Sequence, residues 1–356
     1  MSLVLEQFLQ PVPLVLLAII AIYTVVLVFL IKKNASMVKA NLVAASTSDA
    51  EKVFADKAEE AMRLNQTFRK FVPKQFVDHF AKHGSDALEL GRADEDELAI
   101  LFTDIRGFTG LSEKMSPQEL MNFLNSYFFR MNDPIHKNSG FIDKFIGDAV
   151  MALFDRPTGT NTDKAQDAIR AALGLRNAID LYNEHRANCN YPPVNIGIGI
   201  HFGPVIIGTV GSDDRMDTTV IGDSVNIAFR LEALAPKFNT DIVVSAQTLQ
   251  QANAEDLFEY RLLDWVRVKG RKTPIEVYEV IDHQDVDVKK LKLANAKLIE
   301  QGLAFRKEQK WQQAINQFEQ ALAISPKDSL AAHHLEQCAK LQHTELAADW
   351  DGSILL

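Results

Sequence analysis

Two apolar segments that each run into an acidic turn constrain this chain more than any other feature. Leu98 to Phe102 leads into Thr103-Asp104-Ile105-Arg106-Gly107-Phe108-Thr109, and Phe141 to Ile146 leads into Gly147-Asp148 and the apolar run Ala149 to Phe154. One amphipathic helical pattern lies between them. Short apolar runs bounded by turn residues read as strands, so Asp104 and Asp148 are expected at strand ends. An Asp beside a Gly there is ordinary turn chemistry. If the two strands are neighbours in one sheet, the two carboxylates meet in space, and magnesium is usually held by one or two carboxylates plus substrate phosphates. Gly107 and Gly110 flank Phe108-Thr109 just ahead of a helix, where backbone N–H groups are placed to cradle phosphate.

With 356 residues the chain has room for one sizeable domain plus accessories. A net charge of -9 and a pI near 5.5 argue against a general nucleic-acid binder, which would carry a basic stripe. The two cysteines, Cys189 and Cys338, make neither a disulfide framework nor a zinc spacing, which fits a reducing setting for the bulk of the chain.

Pro13 to Ile31 is a run of 19 residues without a charge, the length that crosses a bilayer. Lys32, Lys33 and Lys39 follow it and no Lys or Arg precedes it. The expectation is therefore a single-pass plasma-membrane anchor with the C-terminal side cytoplasmic, rather than a cleaved signal peptide. From Val43 to Phe71 a 3-4 spacing (Val43, Thr47, Ala50, Phe54, Lys57, Ala61, Leu64, Phe68, Phe71) suggests a parallel two-stranded coiled coil, with a solvated single helix as the alternative. Pro73 breaks that pattern, and a second short helix is expected over residues 74–82.

After the acidic stretch Asp94 to Glu97 the pattern predicts a strand over 98–103 and a helix over 117–137, with Ser116 as N-cap and Pro117 in its first turn. A strand pair around Gly147-Asp148, a helix over 163–185, strands over 195–201 and 204–210 and a loop over 211–217 come next. A helix over 224–235 and strands near 241–244, 260–269 and 275–280 complete the domain. This mixed order suggests an α+β sheet with helices on one face, built on a βαββαβ unit.

Phe102-Thr103-Asp104-Ile105-Arg106-Gly107-Phe108-Thr109 followed by Lys144-Phe145-Ile146-Gly147-Asp148 resembles the catalytic core of the class III nucleotidyl cyclases, the adenylate and guanylate cyclases. The resemblance covers roughly Leu98 to Val280 and implies the ferredoxin-like fold reached above on independent grounds. It implies that Asp104, Ile105 and Asp148 hold two Mg2+ or Mn2+ ions per active site. One would lower the pKa of the ribose 3′-hydroxyl and the other would neutralise the triphosphate. Phe108 and Thr109 would lie at the phosphates.

Asn226 and Arg230, four apart in Gly222-Asp223-Ser224-Val225-Asn226-Ile227-Ala228-Phe229-Arg230, share one helix face and can reach one ligand together. In the family such a pair orients the ribose and stabilises charge on the α-phosphate, a task suited to the planar, permanently charged guanidinium. Lys144 falls where the family contacts adenine. Thr219 departs from the Asp of mammalian transmembrane cyclases and matches the bacterial and soluble-type subgroup; its hydroxyl can donate or accept. Guanylate cyclases would be expected to show Glu in place of Lys144, so adenine is favoured. Lys269, in Val268-Lys269-Gly270-Arg271-Lys272, matches the lysine for the terminal phosphates.

The resemblance thus implies an adenylate cyclase that converts ATP to 3′,5′-cyclic AMP and pyrophosphate. Metal-binding and base-reading residues lie on opposite sides of a dimer interface in the family, and this chain carries both sets, which implies a homodimer. A guanylate cyclase, or a non-catalytic regulatory scaffold, is the alternative. No P-loop and no G-G-D-E-F tract occurs. The acidic loop Asp213 to Asp217 lacks EF-hand spacing and reads as a hairpin tip.

Beyond Asp282, Gly302, Phe305, Trp311, Ala314, Phe318, Ala321 and Pro326 stand at the offsets of a tetratricopeptide repeat, with Gln309 in place of the small inter-helix residue. The expectation is a small all-α helical unit, closed by a capping helix over 330–341, that docks on the cyclase or on a protein partner. The boundaries read as an anchor over 1–33, a linker and transducing element over 34–92, the catalytic domain over 93–282, the helical unit over 283–343 and a disordered tail over 344–356.

Overall fold

The computed structural model describes residues 57–64, 66–67, 73, 75–76, 93–212, 214–267, 273–347 and 350–355. The expected anchor over 13–31 lies outside them, as does most of the heptad-like stretch, of which residues 57–64 and 66–67 are helical. Among the described residues no helix is long and apolar enough to cross a membrane.

Strand β1 (Ala93–Ile105) is followed by the short helix α1 (Phe108–Ser112), α2 (Pro117–Lys137), the hairpin β2 (Phe141–Ile146) and β3 (Ala149–Phe154), α3 (Asn161–Asn188) and β4 (Ile196–Ser212). Next come β5 (Arg215–Ile221), α4 (Asp223–Phe238), β6 (Ile242–Ser245), α5 (Ala246–Ala252), β7 (Tyr260–Arg267) and β8 (Ile275–Val280). Helices α6 (Val286–Lys307), α7 (Trp311–Ile324) and α8 (Ser329–Leu341) precede a last strand, β9 (Ile354–Leu355). The described chain forms two compact units, residues 96–205 with 222–356, and residues 206–221 with those up to 95.

In the larger unit the sheet order is β2-β3-β1-β4-β6-β8-β7-β9. Its first four strands follow the expected path β1-α2-β2-β3-α3-β4. Helix α2 starts where local chemistry says it must: Ser116 Oγ accepts from the Glu119 N–H while the Glu119 carboxylate accepts from the Ser116 N–H, with Pro117 at the first turn. Its buried face is Phe123, Tyr127, Met131 and Ile135, one helical stripe. Helix α3 opens with the same reciprocal cap between Thr160 and Asp163 and lays Ala165, Ala168, Ala171 and Ala172 on the sheet, small residues that permit close approach.

Helices cover both faces of the sheet, which corrects the expectation of one. Ile242 and Val244 of β6 pack with α2, α3 and α5, whereas Val243 packs with α4 and α6 to α8. All four residues of β6 are buried, as in a strand covered on both sides. Two further expectations are corrected. The two strands expected over 195–201 and 204–210 are one continuous β4, and the loop expected over 211–217 is shorter: it is a hairpin tip, as expected, but its return strand, β5, begins at Arg215 and was not anticipated. Within the smaller unit that hairpin pairs Ile206 with Ile221 through to Ser212 with Arg215.

Within the C-terminal tail, where disorder was expected, residues 350–355 are placed against the sheet and its helices. Ile354 and Leu355 pair in parallel with Val266 and Arg267 at the edge of β7, Asp351 meets Arg267 at 2.7 Å, and Trp350 packs on Trp311. An open sheet edge offers unpaired backbone groups, and two apolar residues suffice to cap it.

The three C-terminal helices share a core with the sheet: Ile299, Leu303, Ala314 and Phe318 pack with Val243, Leu263 and Val277. Two buried ion networks add direction. Arg261 grips Asp328 through Nη1 and Nη2 at 2.6 and 3.0 Å, and its Nε meets Glu279, which takes Lys292 at 2.7 Å. Arg306 clamps the Asp264 carboxylate, donates to the Gly352 carbonyl at 2.9 Å and contacts His334 Nδ1. Burial pushes the His334 imidazole down to about 4, so it is neutral and donates from Nε2 to the Leu263 carbonyl. Arg306→Ala strands Asp264 as a buried uncompensated charge, and a loss of roughly 3–5 kcal/mol is expected in urea unfolding. A loss below about 1 kcal/mol would place the pair at the worth of a surface contact.

Candidate active site

The β1–β3 register sets Thr103 opposite Val150, and the β2–β3 hairpin closes at Ile146 opposite Ala149. The two-residue turn of that hairpin is Gly147-Asp148, with Gly147 at φ 65, in the left-handed region that a side chain resists. Asp104, one residue past Thr103, therefore lies beside Asp148. The Ile105 N–H donates to both, to Asp104 Oδ1 at 2.9 Å and to Asp148 Oδ2 at 3.2 Å. The Ile105 side chain is buried, so only its backbone can serve this site.

Burial, then the hydrogen bond and charge of Asp104, push the Asp148 carboxyl up to about 7. Two half-buried acids sharing one N–H favour a cation between them, and this donor set fits Mg2+ or Mn2+, which complete their shell with water and phosphate oxygens. Among the described residues no group of three acidic, His or Cys side chains forms a closed metal cage. A cation must displace the proton from Asp148, so Mn2+ affinity measured by calorimetry should rise between about pH 6 and pH 8 and then level off. A flat profile would count against the paired-acid site.

Gly107, at φ 67, caps α1, whose first turn contains Phe108 and Thr109. Phe108 packs against the core and Thr109 is exposed. The first-turn amides of a helix have no intrahelical acceptor, as expected for a phosphate-facing turn. Lys144 follows a register shift in β2 between Ile142 and Lys144, and its ammonium lies 3.6 Å from Asp143. Asn226 is exposed and Arg230 partly so, both on α4. Thr219 lies on β5 opposite Gly208, in the smaller unit. Lys269 lies outside the described residues.

The sequence reading passed over Arg106 and Glu232. Arg106 Nη1 meets Glu232 Oε1 at 2.9 Å, joining the residue after Ile105 to the helix that carries Asn226 and Arg230. The available signal was Gly197-Ile198-Gly199 inside a strand, since glycines there mark close approach. A Cβ at 197 would fall 1.7 Å from Arg106 Nη2, and one at 199 would fall 2.2 Å from the Glu232 backbone nitrogen.

Comparison with known proteins agrees with this geometry. Residues 91–282 match the family described as the adenylate and guanylate cyclase catalytic domain. An adenylate cyclase of Anabaena cylindrica is 42% identical over 219 residues, 60% of this chain and 42% of that protein. Adenylate cyclase 1 of Rhizobium meliloti (strain 1021) is 33% identical over 216 residues, 60% of this chain and 32% of that protein. The chain thus spans less than half the length of these curated relatives. The structure of a bacterial light-regulated adenylyl cyclase aligns with a TM-score of 0.57 at 26% identity, covering 70% of this chain and 71% of that one.

Proposed function

The chain belongs to the adenylate and guanylate cyclase catalytic-domain family, and from that premise we propose that it is an adenylate cyclase, converting ATP to 3′,5′-cyclic AMP and pyrophosphate at two equivalent sites of a homodimer. The observation that carries the proposal is the pair of carboxylates brought onto one N–H by two adjacent strands. The adenylate cyclases among its relatives and Lys144 at the base-reading position support ATP over GTP.

Asp104 and Asp148, with the Ile105 backbone, would hold two Mg2+ or Mn2+ ions. When bound, these supply acidification of the ribose 3′-hydroxyl and neutralisation of the triphosphate. Asn226 holds the ribose so that the 3′-oxygen lines up with the α-phosphorus. Arg230 stabilises the charge that gathers on the α-phosphate oxygens as the bond to pyrophosphate breaks. Lys144 and Thr219 read the adenine edge, Lys269 grips the β- and γ-phosphates, and the turn at Phe108-Thr109 offers amides to the same oxygens.

Exposed aromatic surface supports the homodimer. Phe129 is 79% exposed, Phe145 50% and Phe229 51%, rings that a homodimer interface would cover. The proposal includes a single-pass plasma-membrane anchor over 13–31 with the catalytic domain cytoplasmic, supported by the uncharged run and the lysines after it. It also includes a tetratricopeptide-like unit over 283–343 with a protein partner; Gly302 against the Phe318 ring supports helix packing of that kind.

Incubating the full chain with ATP or GTP plus Mn2+ and identifying the product tests the reading. Cyclic AMP from ATP is the expected result. Cyclic GMP as the main product, or no cyclic nucleotide from a folded dimer, overturns it.

A further inference from the structure

The ion pair between Arg106 and Glu232 lies between the two halves of the catalytic machinery of one chain. Arg106 directly follows the Asp104-Ile105 turn, and its own N–H is fixed by the Asn195 carbonyl at 2.8 Å. Glu232 is on the inner face of α4, 9% exposed at its side chain, against 26% for Arg106. Asn226 and Arg230 belong to the same helix two turns and less upstream, turned toward the surface. Helix α4 sits directly on β4: a Cβ at Gly199 would collide with the Ala228 carbonyl and the Glu232 nitrogen at 2.5 and 2.2 Å. That packing sets the distance of the helix from the strand, and the ion pair sets its position against the Asp104-Ile105 turn. Phe102 of β1 adds an edge-on ring contact with Phe229 of α4 at 5.4 Å. The metal-holding turn and the helix bearing Asn226 and Arg230 are therefore joined by close packing and by an ion pair that is partly shielded from water.

We propose that Arg106 and Glu232 are positioning residues that set the paired carboxylates of a chain against the Asn226 and Arg230 helix of the same chain. This inference rests on the reading of shared dimer sites. Under that reading, the carboxylates of one chain serve one active site and its Asn226 and Arg230 serve the other. Each Arg106–Glu232 pair then acts in both sites of the dimer, although neither residue touches substrate. Losing it leaves the chemical groups present and lets both half-sites drift, and small misplacements cost rate more than binding.

The test uses full-length chains in a mixed dimer of Asp104→Ala with Arg230→Ala, which has one complete site. Glu232→Gln, close in shape, is introduced into either chain in turn. The expected result is a kcat reduced about 10- to 100-fold in both placements, with KM for ATP changed less than about twofold. In the Glu232→Gln homodimer, Mn2+ alone, followed by electron paramagnetic resonance, should bind several-fold more weakly. Arg106→Lys, which keeps the charge and loses the planar fork, should give the same pattern at smaller amplitude, and it replaces Glu232→Gln if that variant does not fold. A loss confined to one placement, unchanged kcat in both, or unchanged Mn2+ affinity overturns the proposal. Failure of the mixed dimer to work with Glu232 and Arg106 intact would instead overturn the shared-site reading, which separates the two.

Discussion

Asp148→Asn in the full chain is expected to reduce cyclic AMP formation at least about 1,000-fold, because an amide cannot neutralise a divalent cation and metal-assisted steps depend on that charge. Asparagine keeps the shape of the side chain and an oxygen that can accept from Ile105, so the turn at Gly147 and the β2–β3 hairpin should survive. Circular dichroism and dimer size should match the unsubstituted chain while Mn2+ binding is lost. Asp104→Ala should do the same from the other strand end, since the two carboxylates act as one unit on one N–H. An Asp148→Asn chain that keeps near-normal turnover would remove the two-carboxylate site and with it the proposed chemistry.

Mixing two inactive chains is the second large effect expected. Arg230→Ala alone should cost about 100- to 1,000-fold by removing the charge opposite the α-phosphate. If the sites are shared across a two-fold axis, random mixing of Arg230→Ala with Asp104→Ala makes half the dimers mixed, each with one of its two sites complete. Recovery of about a quarter of the unsubstituted activity is then expected. Activity that stays at the level of either parent, with mixed dimers demonstrated by tagged pull-down, would mean that each site is built within one chain. The exposed Phe129, Phe145 and Phe229 offer an independent check, because Phe129→Ser or Phe229→Ser should raise the concentration at which the dimer forms.

Much of the fold is encoded locally and so could be read without coordinates. The start of helix α2 was legible because Ser116 and Pro117 carry their capping chemistry in adjacent residues, and β8 was placed over the residues it occupies. The strand ends at Asp104 and Asp148 were legible for the same reason, and their meeting required only that β1 and β3 be neighbours. Both glycine turns lie beside the acids they serve, so the paired-acid motif survives in one dimension.

What tertiary structure alone decided involves partners far apart in the chain. The single N–H that joins Asp104 to Asp148 spans 43 positions, and the Arg106–Glu232 pair spans 126, with room made by glycines on a third element. The second helical face of the sheet, the docking of α6 to α8 through Arg261 and Arg306, and the capping of β7 by Ile354 and Leu355 likewise depend on which surfaces meet. A charged residue looks the same in sequence whether it faces water or a buried partner, and a two-residue apolar tail is too short to show a period. Local hydrogen-bond chemistry and periodicity determine elements and turns; desolvation and pairing at long range determine which of those elements become one site.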